Sequence, residues 1–288
     1  MELQRNFAFL VVMYDKDLKD SKTLNSLMQH NIKSSSLLIV NNGPTEIKDS
    51  SYLSSLSFEN VFLENHVENI PLSILYNDFF ERFEDTVEGF ILLDDDTELT
   101  DDFFEALSNL NEEILLPKIK SYNDGVVYYP RVNRITALDN FKFLVKDFEV
   151  YSIGSGLTIP ISVLKLFYIE KVTPFDTSYA LYGVDSSFFK RIKVLSRKYP
   201  DLTFLSSCKI NHGLSGSEKK FSDFRFQEVL WDRAITLRRY PTLFGLYLYI
   251  KCFYKCLRLF RWKYFHILLK GLITGTHPRV KKFYQCKN

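Results

Sequence analysis

Residues 89–99 read GFILLDDDTEL, an apolar run that ends in three consecutive carboxylates, Asp94, Asp95 and Asp96. Like charges side by side repel, so the arrangement calls for something of opposite sign facing it. If the apolar run is a strand, Asp94 and Asp96 point to one side and Asp95 to the other. Two carboxylates on one side suit a hard divalent cation, since Mg2+ or Mn2+ commonly takes one or two carboxylates together with substrate phosphate oxygens. The competing reading makes the triplet solvated loop acid ahead of a helix. Asp101 and Asp102 fit that reading themselves, sitting in the first turn of a helix that Thr100 would cap.

Working outward, the first hundred residues alternate short apolar runs with helix-like segments. FAFLVVMY (7–14), SLLIVNNGP (36–44), VFLEN (61–65) and GFILL (89–93) read as strands, the second ending in an Asn-Gly-Pro turn signal. Between them SKTLNSLMQHN (21–31) and PLSILYNDFFERF (71–83) have helical spacing, the latter opened by Pro71. TDDFFEALSNL (100–110) follows as a third helix. Alternation of this length predicts an α/β layered domain with a largely parallel sheet. Beyond residue 115 the pattern is less regular. DGVVYYPRV reads as a hairpin or edge strand, and GSGLTIPISVLKLF as a glycine loop entering a helix with Pro160 near its start. GVDSSFFKRIKVLSRKYP is a helix stopped by Pro200, and DLTFLSSCKINHGLSG a strand leading into a Gly/Ser loop. FSDFRFQEVLWDRAITLRRYP reads as one more helix ahead of a basic, aromatic tail.

The order of these features resembles a family 2 glycosyltransferase of the GT-A fold, the class that builds bacterial surface polysaccharides. The resemblance covers roughly residues 7–240. It rests on a first strand ending in VVMYDK, a second ending in IVNNG, Asp94-Asp95-Asp96 after the fourth, a glycine-containing GSGLTI loop, and YGVDSSFF ahead of a helix. It implies a Rossmann-like nucleotide-diphospho-sugar domain over 1–237, with a donor half to about 115 and an acceptor half beyond, and a helical basic extension over 238–288. Asp94 and Asp96 would hold Mn2+ or Mg2+ against the diphosphate of a UDP- or dTDP-sugar. Tyr14, Asn41, Asn42, Gly43, Asn77 and Asp95 would line the donor pocket, with Asn41 standing where many relatives have Asp. Asp185 would be the general base of an inverting hexosyl or deoxyhexosyl transfer, although an acid there also serves as a helix N-cap. Val184 precedes it where many relatives carry a Glu. His212 would be a third metal ligand or a diphosphate contact, against the plainer reading of a packing histidine. Gly154, Ser155 and Gly156 would meet the acceptor, or simply form a turn.

The net charge of +2 conceals an asymmetry. Twelve of the 37 Lys and Arg residues lie in 238–288, where there is no Asp or Glu, so the remaining 25 face all 35 acids and residues 1–237 carry −10. Within the tail, Lys251, Lys255 and Arg258 fall on one side of a helical wheel while Phe253, Tyr254, Leu257 and Phe260 fill much of the rest. A basic amphipathic helix of this kind lies well in the interface of an anionic membrane. Nucleic acid is the rival partner and is disfavoured by the apolar content and the acidic body; packing of the tail against the domain is the third reading. Membrane contact would agree with a lipid-linked oligosaccharide acceptor in capsule or O-antigen synthesis. It would place the protein on the cytoplasmic side of a bacterial plasma membrane, peripherally bound. Phe7–Met13 is too short for a signal peptide and no uncharged apolar run reaches 18 residues, so neither a leader nor a spanning helix is expected. Four scattered cysteines form no disulfide framework or zinc set and fit a reducing cytosol.

Two other enzymes fail on spacing. A haloacid-type phosphatase needs Asp-x-Asp-x-Thr, and here Glu98 occupies the Thr position. A nucleotidylyltransferase needs a glycine-rich loop after the first strand, and YDKDLKD has none. The alternative from another class is a catalytically silent membrane-surface scaffold that keeps the same fold.

Overall fold

The run FAFLVVM forms β1 (Phe7–Met13), and all seven of its residues are buried. A strand without a polar face belongs in the middle of a sheet that is covered on both sides. The computed structural model, which describes residues 3–48, 51–214 and 222–287, puts it there. After β1 come α1 (Lys22–Leu27), β2 (Ile32–Asn41), β3 (Phe58–Asn65), α2 (Leu72–Phe83) and β4 (Gly89–Asp94). Then follow β5 (Thr97–Glu98), α3 (Asp101–Ser108), β6 (Ile114–Leu115), β7 (Lys118–Ser121), β8 (Val127–Tyr129), β9 (Arg131–Val132) and β10 (Ile135–Thr136). The next elements are β11 (Phe141–Leu144), β12 (Val150–Tyr151), β13 (Thr158–Pro160), α4 (Ile161–Ile169) and α5 (Val184–Leu195). The chain continues through β14 (Thr203–Ser206), β15 (Lys209–His212), α6 (Asp223–Arg239), α7 (Leu243–Leu259), α8 (Trp262–Thr274) and α9 (Pro278–Lys287).

The chain forms two units, the first made of Met1–Asn69, Asp78–Pro174 and Arg191–Glu218 and the second of Ile70–Asn77, Phe175–Lys190 and Lys219–Asn288. In the first, an eight-stranded sheet runs in the order β11-β14-β6-β13-β4-β1-β2-β3. Strands β3, β2, β1 and β4 are mutually parallel, and β13 runs antiparallel to β4. From β1 the chain steps outward to β2 and β3, then returns to β1's other flank with β4. That reversal is a topological switch point, and ligands of open α/β sheets bind outside the carboxyl ends of strands at such a point. Register fixes what lies there, with Val12 opposite Asp94 and Met13 opposite Asn41. A four-stranded sheet, β5-β15-β7-β8, lies beside this edge in the chain path and delivers residues from far along the sequence. Phe9, Val11, Ile39, Ile91, Phe103 and Phe104 belong to the first unit's core, each such side chain contributing roughly 1.5–3 kcal/mol through burial.

Several expected boundaries move. The segment 21–31 is helical only over Lys22–Leu27, with Ser21 as its cap accepting from the Leu24 amide at 3.2 Å. Thr100 precedes α3 but makes no capping bond; its hydroxyl turns to the Lys209 carbonyl, 2.6 Å away, and to Asp102. The segment 201–216 holds two strands, and its Gly/Ser loop from residue 215 on lies outside the described residues.

The second unit is largely helical. The Ser222 hydroxyl caps α6 by accepting from the Arg225 amide, Asp223 sits in its first turn, and Arg238 and Arg239 sit in its last, in accord with the helix dipole. Thr242 caps α7 in the same way, through the Gly245 amide at 2.9 Å. Phe260 then takes a left-handed conformation (φ 47°) and ends the helix, so α7 and α8 are separate helices broken at 260–261. The two differ in exposure. Tyr264, Ile267, Leu268 and Gly271 of α8 are buried, and a Cβ on Gly271 would stand 2.7 Å from that of Ala234 on α6. In α7 only Gly245 and Cys256 are buried. Packing was one of the readings open for the tail, and it describes α8 but not α7. Helix α6 therefore groups with the tail, whereas the sequence suggested a division near 237.

Candidate functional site

Strand β4 ends at Asp94, so the triplet begins where the ladder stops. Alternation then does what strand geometry requires. Asp95 points toward Lys16, with which it forms an ion pair, and its Oδ2 accepts from the Tyr14 amide at 3.2 Å. Its carbonyl accepts from Ser21 Oγ at 3.0 Å. Asp94 and Asp96 point the other way, toward His212.

His212 arrives by a different route. Strand β15 pairs antiparallel with β5, which sets His212 opposite Thr97. The imidazole is buried, its Nε2 3.7 Å from Asp94 Oδ2 and its Nδ1 3.2 Å from Asp96 Oδ1. One ligand atom from each of Asp94, Asp96 and His212 falls within 4.8 Å of the others. The neighbouring Gly213 makes room for this, because a Cβ there would stand 2.2 Å from Asp96 Oδ2.

Behind the cluster runs a line of buried hydroxyls. The Asp94 amide donates to Ser155 Oγ at 3.1 Å, Ser155 Oγ is 2.5 Å from Thr97 Oγ1, and Thr97 Oγ1 is 3.0 Å from His212 Nδ1. The Thr97 amide in turn donates to Thr23 Oγ1 at 2.9 Å, and that hydroxyl donates to the Asp94 carbonyl. A ring proton on Nδ1, directed at Thr97 and Asp96, would leave Nε2 as the possible ligand atom on the side of Asp94. Sequence reasoning did not find Thr97, Thr23 or Lys16, since isolated hydroxyls and a single lysine carry no pattern.

Burial, followed by the charges of Asp96 and Asp95, pushes the Asp94 carboxyl up to about 7, with Lys16 opposing. Asp96 is also raised, by burial first and then by Asp95, while His212 and Lys16 pull it down. Carboxylates whose ionised form is disfavoured by their own surroundings are ones that a bound cation would stabilise. Two acids and an imidazole, mutually within ligand range, could hold a divalent metal ion.

Other expected site residues distribute unevenly. Tyr14 follows β1 and is exposed. Asn41 is buried and its amide is engaged within the fold, donating to Asn65 Oδ1 at 2.7 Å and the Thr45 carbonyl at 2.6 Å and accepting from the Gly43 amide at 3.3 Å. Asn42 is buried and donates to Asn69 Oδ1 at 3.3 Å. Gly43 adopts φ 97°, a conformation that favours glycine, in a turn whose carbonyl accepts from the Asp15 amide at 2.9 Å. These residues shape the turn beside the switch point.

The Gly154–Gly156 loop was expected to meet the acceptor or simply to form a turn. All three residues are buried, and a side chain on Gly156 would meet Pro117 and Ile210, so packing explains that glycine. Ser155 serves the carboxylate cluster from behind. Asn77 is likewise a strut, its amide donating to the Ser73 and Phe175 carbonyls at 2.7 and 2.9 Å and accepting from the Phe175 amide at 3.2 Å. Asp185, in the second unit, lies in the first turn of α5, one residue inside the helix, and is half-buried. Gly183 (φ 90°) precedes the helix, so Asp185 stands in its first turn.

No family model matches the sequence, and no curated protein sequence is similar to it. Solved structures are. S. aureus TarS matches with a TM-score of 0.51 at 12% identity over 81% of this chain, which spans 44% of the TarS chain. S. aureus TarS 1-349 in complex with UDP matches with a TM-score of 0.52 at 11% identity, covering 98% of this chain and 92% of that one. At such identities the likeness speaks for architecture alone. The mixed, largely parallel sheet with its helical C-terminal region has the GT-A glycosyltransferase fold.

Proposed function

We propose that the protein is an inverting, metal-dependent glycosyltransferase of the family 2 type, moving a hexosyl or deoxyhexosyl group from a UDP- or dTDP-sugar to a lipid-linked oligosaccharide. The observation that carries this reading is the convergence of Asp94, Asp96 and His212 at the carboxyl end of β4. Those three residues would hold Mn2+ or Mg2+, which when bound offsets the charge gathering on the departing nucleoside diphosphate. Tyr14, exposed beside Asp95 and the 41–43 turn, would flank the nucleotide. Asp185 would take the proton of the acceptor hydroxyl as its oxygen attacks the anomeric carbon and the bond from that carbon to the diphosphate oxygen breaks. The apolar and basic exterior of α7 fits peripheral attachment to an anionic membrane, and among the described residues no helix is long and apolar enough to cross one.

The test is a panel of nucleotide sugars incubated with Mn2+ and lipid-linked acceptors, read by mass spectrometry. Transfer that disappears on chelation and in Asp185→Asn, with donor binding retained in that variant, is expected. Undiminished transfer after complete metal removal would sink the metal assignment. A chain that binds vesicles but neither binds nor turns over any nucleotide sugar would be the silent scaffold.

A further inference from the structure

Asp176 lies in the loop ahead of α5 and is 1% exposed, a carboxylate withdrawn almost completely from water. Its Oδ2 accepts from Arg239 Nε and from the Tyr240 hydroxyl, each at 2.7 Å, and those two residues close α6. Its Oδ1 accepts from the Ser178 amide at 3.0 Å, which folds the loop back on itself. The Asp176 amide donates to Ser187 Oγ at 2.9 Å, and that hydroxyl donates to the Val184 carbonyl at 2.6 Å. Val184 and Ser187 stand on either side of Asp185 in the first turn of α5. One buried acid therefore links the end of α6 to the backbone that carries Asp185, and all of these residues belong to the second unit.

The same loop is tied down elsewhere along its length. Tyr179 is fully buried, with its hydroxyl 3.0 Å from Thr236 Oγ1 on α6. Its ring packs on Gly183, where a Cβ would stand 2.3 Å from it. The Ser178 carbonyl accepts from the His277 amide at 2.9 Å, and the Ala180 carbonyl from the Leu72 amide at 2.8 Å. Stability alone does not call for a charge at position 176. Taking an ion pair out of water offsets much of its attraction, and apolar side chains of similar volume often hold a fold as well. What a hydrogen-bonded buried charge does supply is one fixed arrangement of the groups around it. A general base needs that, because it must stand within hydrogen-bond reach of the proton it takes.

We propose that Asp176, held by Arg239 and Tyr240, is a positioning residue for Asp185 and sets where the first turn of α5 presents that carboxylate. This rests on the reading of Asp185 as the base and deepens it: the place of the base is decided at the far end of α6. Asp176 acts through the backbone on either side of Asp185 and, being buried, meets no substrate itself.

The test compares Asp176→Asn, Tyr240→Phe, Asp185→Asn and Asp223→Ala in the full chain, with Mn2+ and the donor that the nucleotide-sugar panel identifies. Asp176→Asn keeps the size of the side chain and removes its charge. It is expected to lower kcat by roughly tenfold to a hundredfold, as a misplaced reacting group does, while the KM for the donor stays within about twofold. Tyr240→Phe deletes one bond to Asp176 and no charge, so it answers even where Asp176→Asn fails to fold, and a smaller fall in kcat is expected. Amide hydrogen exchange over residues 184–188 should quicken in both variants and not in Asp223→Ala, which removes an ion-paired acid from the opposite end of α6. Unchanged exchange at 184–188, a fall in kcat matched by Asp223→Ala, or a raised donor KM in place of a lowered kcat would overturn the positioning role and leave the base reading standing. Full transfer by Asp185→Asn would overturn the base reading and this inference with it.

Discussion

Asp94 and Asp223 are both aspartates at the end of a secondary-structure element, and their surroundings are opposite. Asp223 opens α6 with Lys263 at 2.7 Å, Arg261 at 3.3 Å and the Tyr264 hydroxyl all donating to it. Bonding to Lys263 and then to Tyr264 holds its carboxyl below the ordinary range. Asp94 closes β4 among acids, and its carboxyl is pushed up to about 7. Cations of the fold meet the first aspartate's needs and help tie α8 to α6. The second pairs with no Lys or Arg among the described residues, and Lys16 is taken by Asp95. A fold that neutralises one carboxylate and concentrates charge around another sets a structural acid apart from acids that could hold an external cation.

The sharpest way to break this contrast is to remove each acid. Asp94→Ala or Asp96→Ala is expected to cut Mn2+-dependent donor turnover by at least about a hundredfold. Asp223→Ala should leave turnover intact and lower Tm; loss of turnover from all three variants would erase the distinction. Thr97→Val keeps the shape of the side chain while deleting the hydroxyl between Ser155 and His212. A fall in Mn2+ affinity of about tenfold, followed by electron paramagnetic resonance, is the expected result. An unchanged affinity would show that the ring needs no orientation from behind.

The two acids should also titrate in opposite senses. For Asp94 the folded value lies above the unfolded one, so its ionisation opposes folding. The metal-free protein should lose Tm as pH rises from the ordinary carboxylate range to about 7, and Asp94→Asn should flatten that slope. Added Mn2+ should stabilise more strongly as pH rises through the same window, because the ligand form is the ionised one. For Asp223 the folded value lies below the unfolded one, so its contribution is present above the unfolded value and is lost as pH falls through the folded value. Asp223→Ala should therefore lose less Tm on acidification than the wild-type chain does, the smallest effect of the set.

The half of the site that lies within one strand was legible. An apolar run followed by three acids fixes both the strand end and the side to which Asp94 and Asp96 point, because alternation is local. His212 stands 115 residues further on than Thr97, and only the pairing of β15 with β5 brings it to the acids. Nothing near it in sequence announces that pairing. Ser155 was singled out for the flexibility of its glycine neighbours, but Gly156 answers to Pro117 and Ile210. Asn77 was named from the resemblance alone, and in the fold its amide braces the backbone at Phe175. A polar residue in an apolar setting looks the same in sequence whether it faces a ligand or an unpaired amide. The division of the tail was hidden for another reason, since nothing about Phe260 advertises a left-handed backbone.

That left-handed residue has a consequence for how the surface can evolve. By turning the chain after α7, it lets α8 fill the interior beside α6 while its predecessor keeps almost its whole outline outside. Substitutions along the outer side of α7 are then scarcely felt by the interior, so that surface can change without the acids at the end of β4 having to be rebuilt.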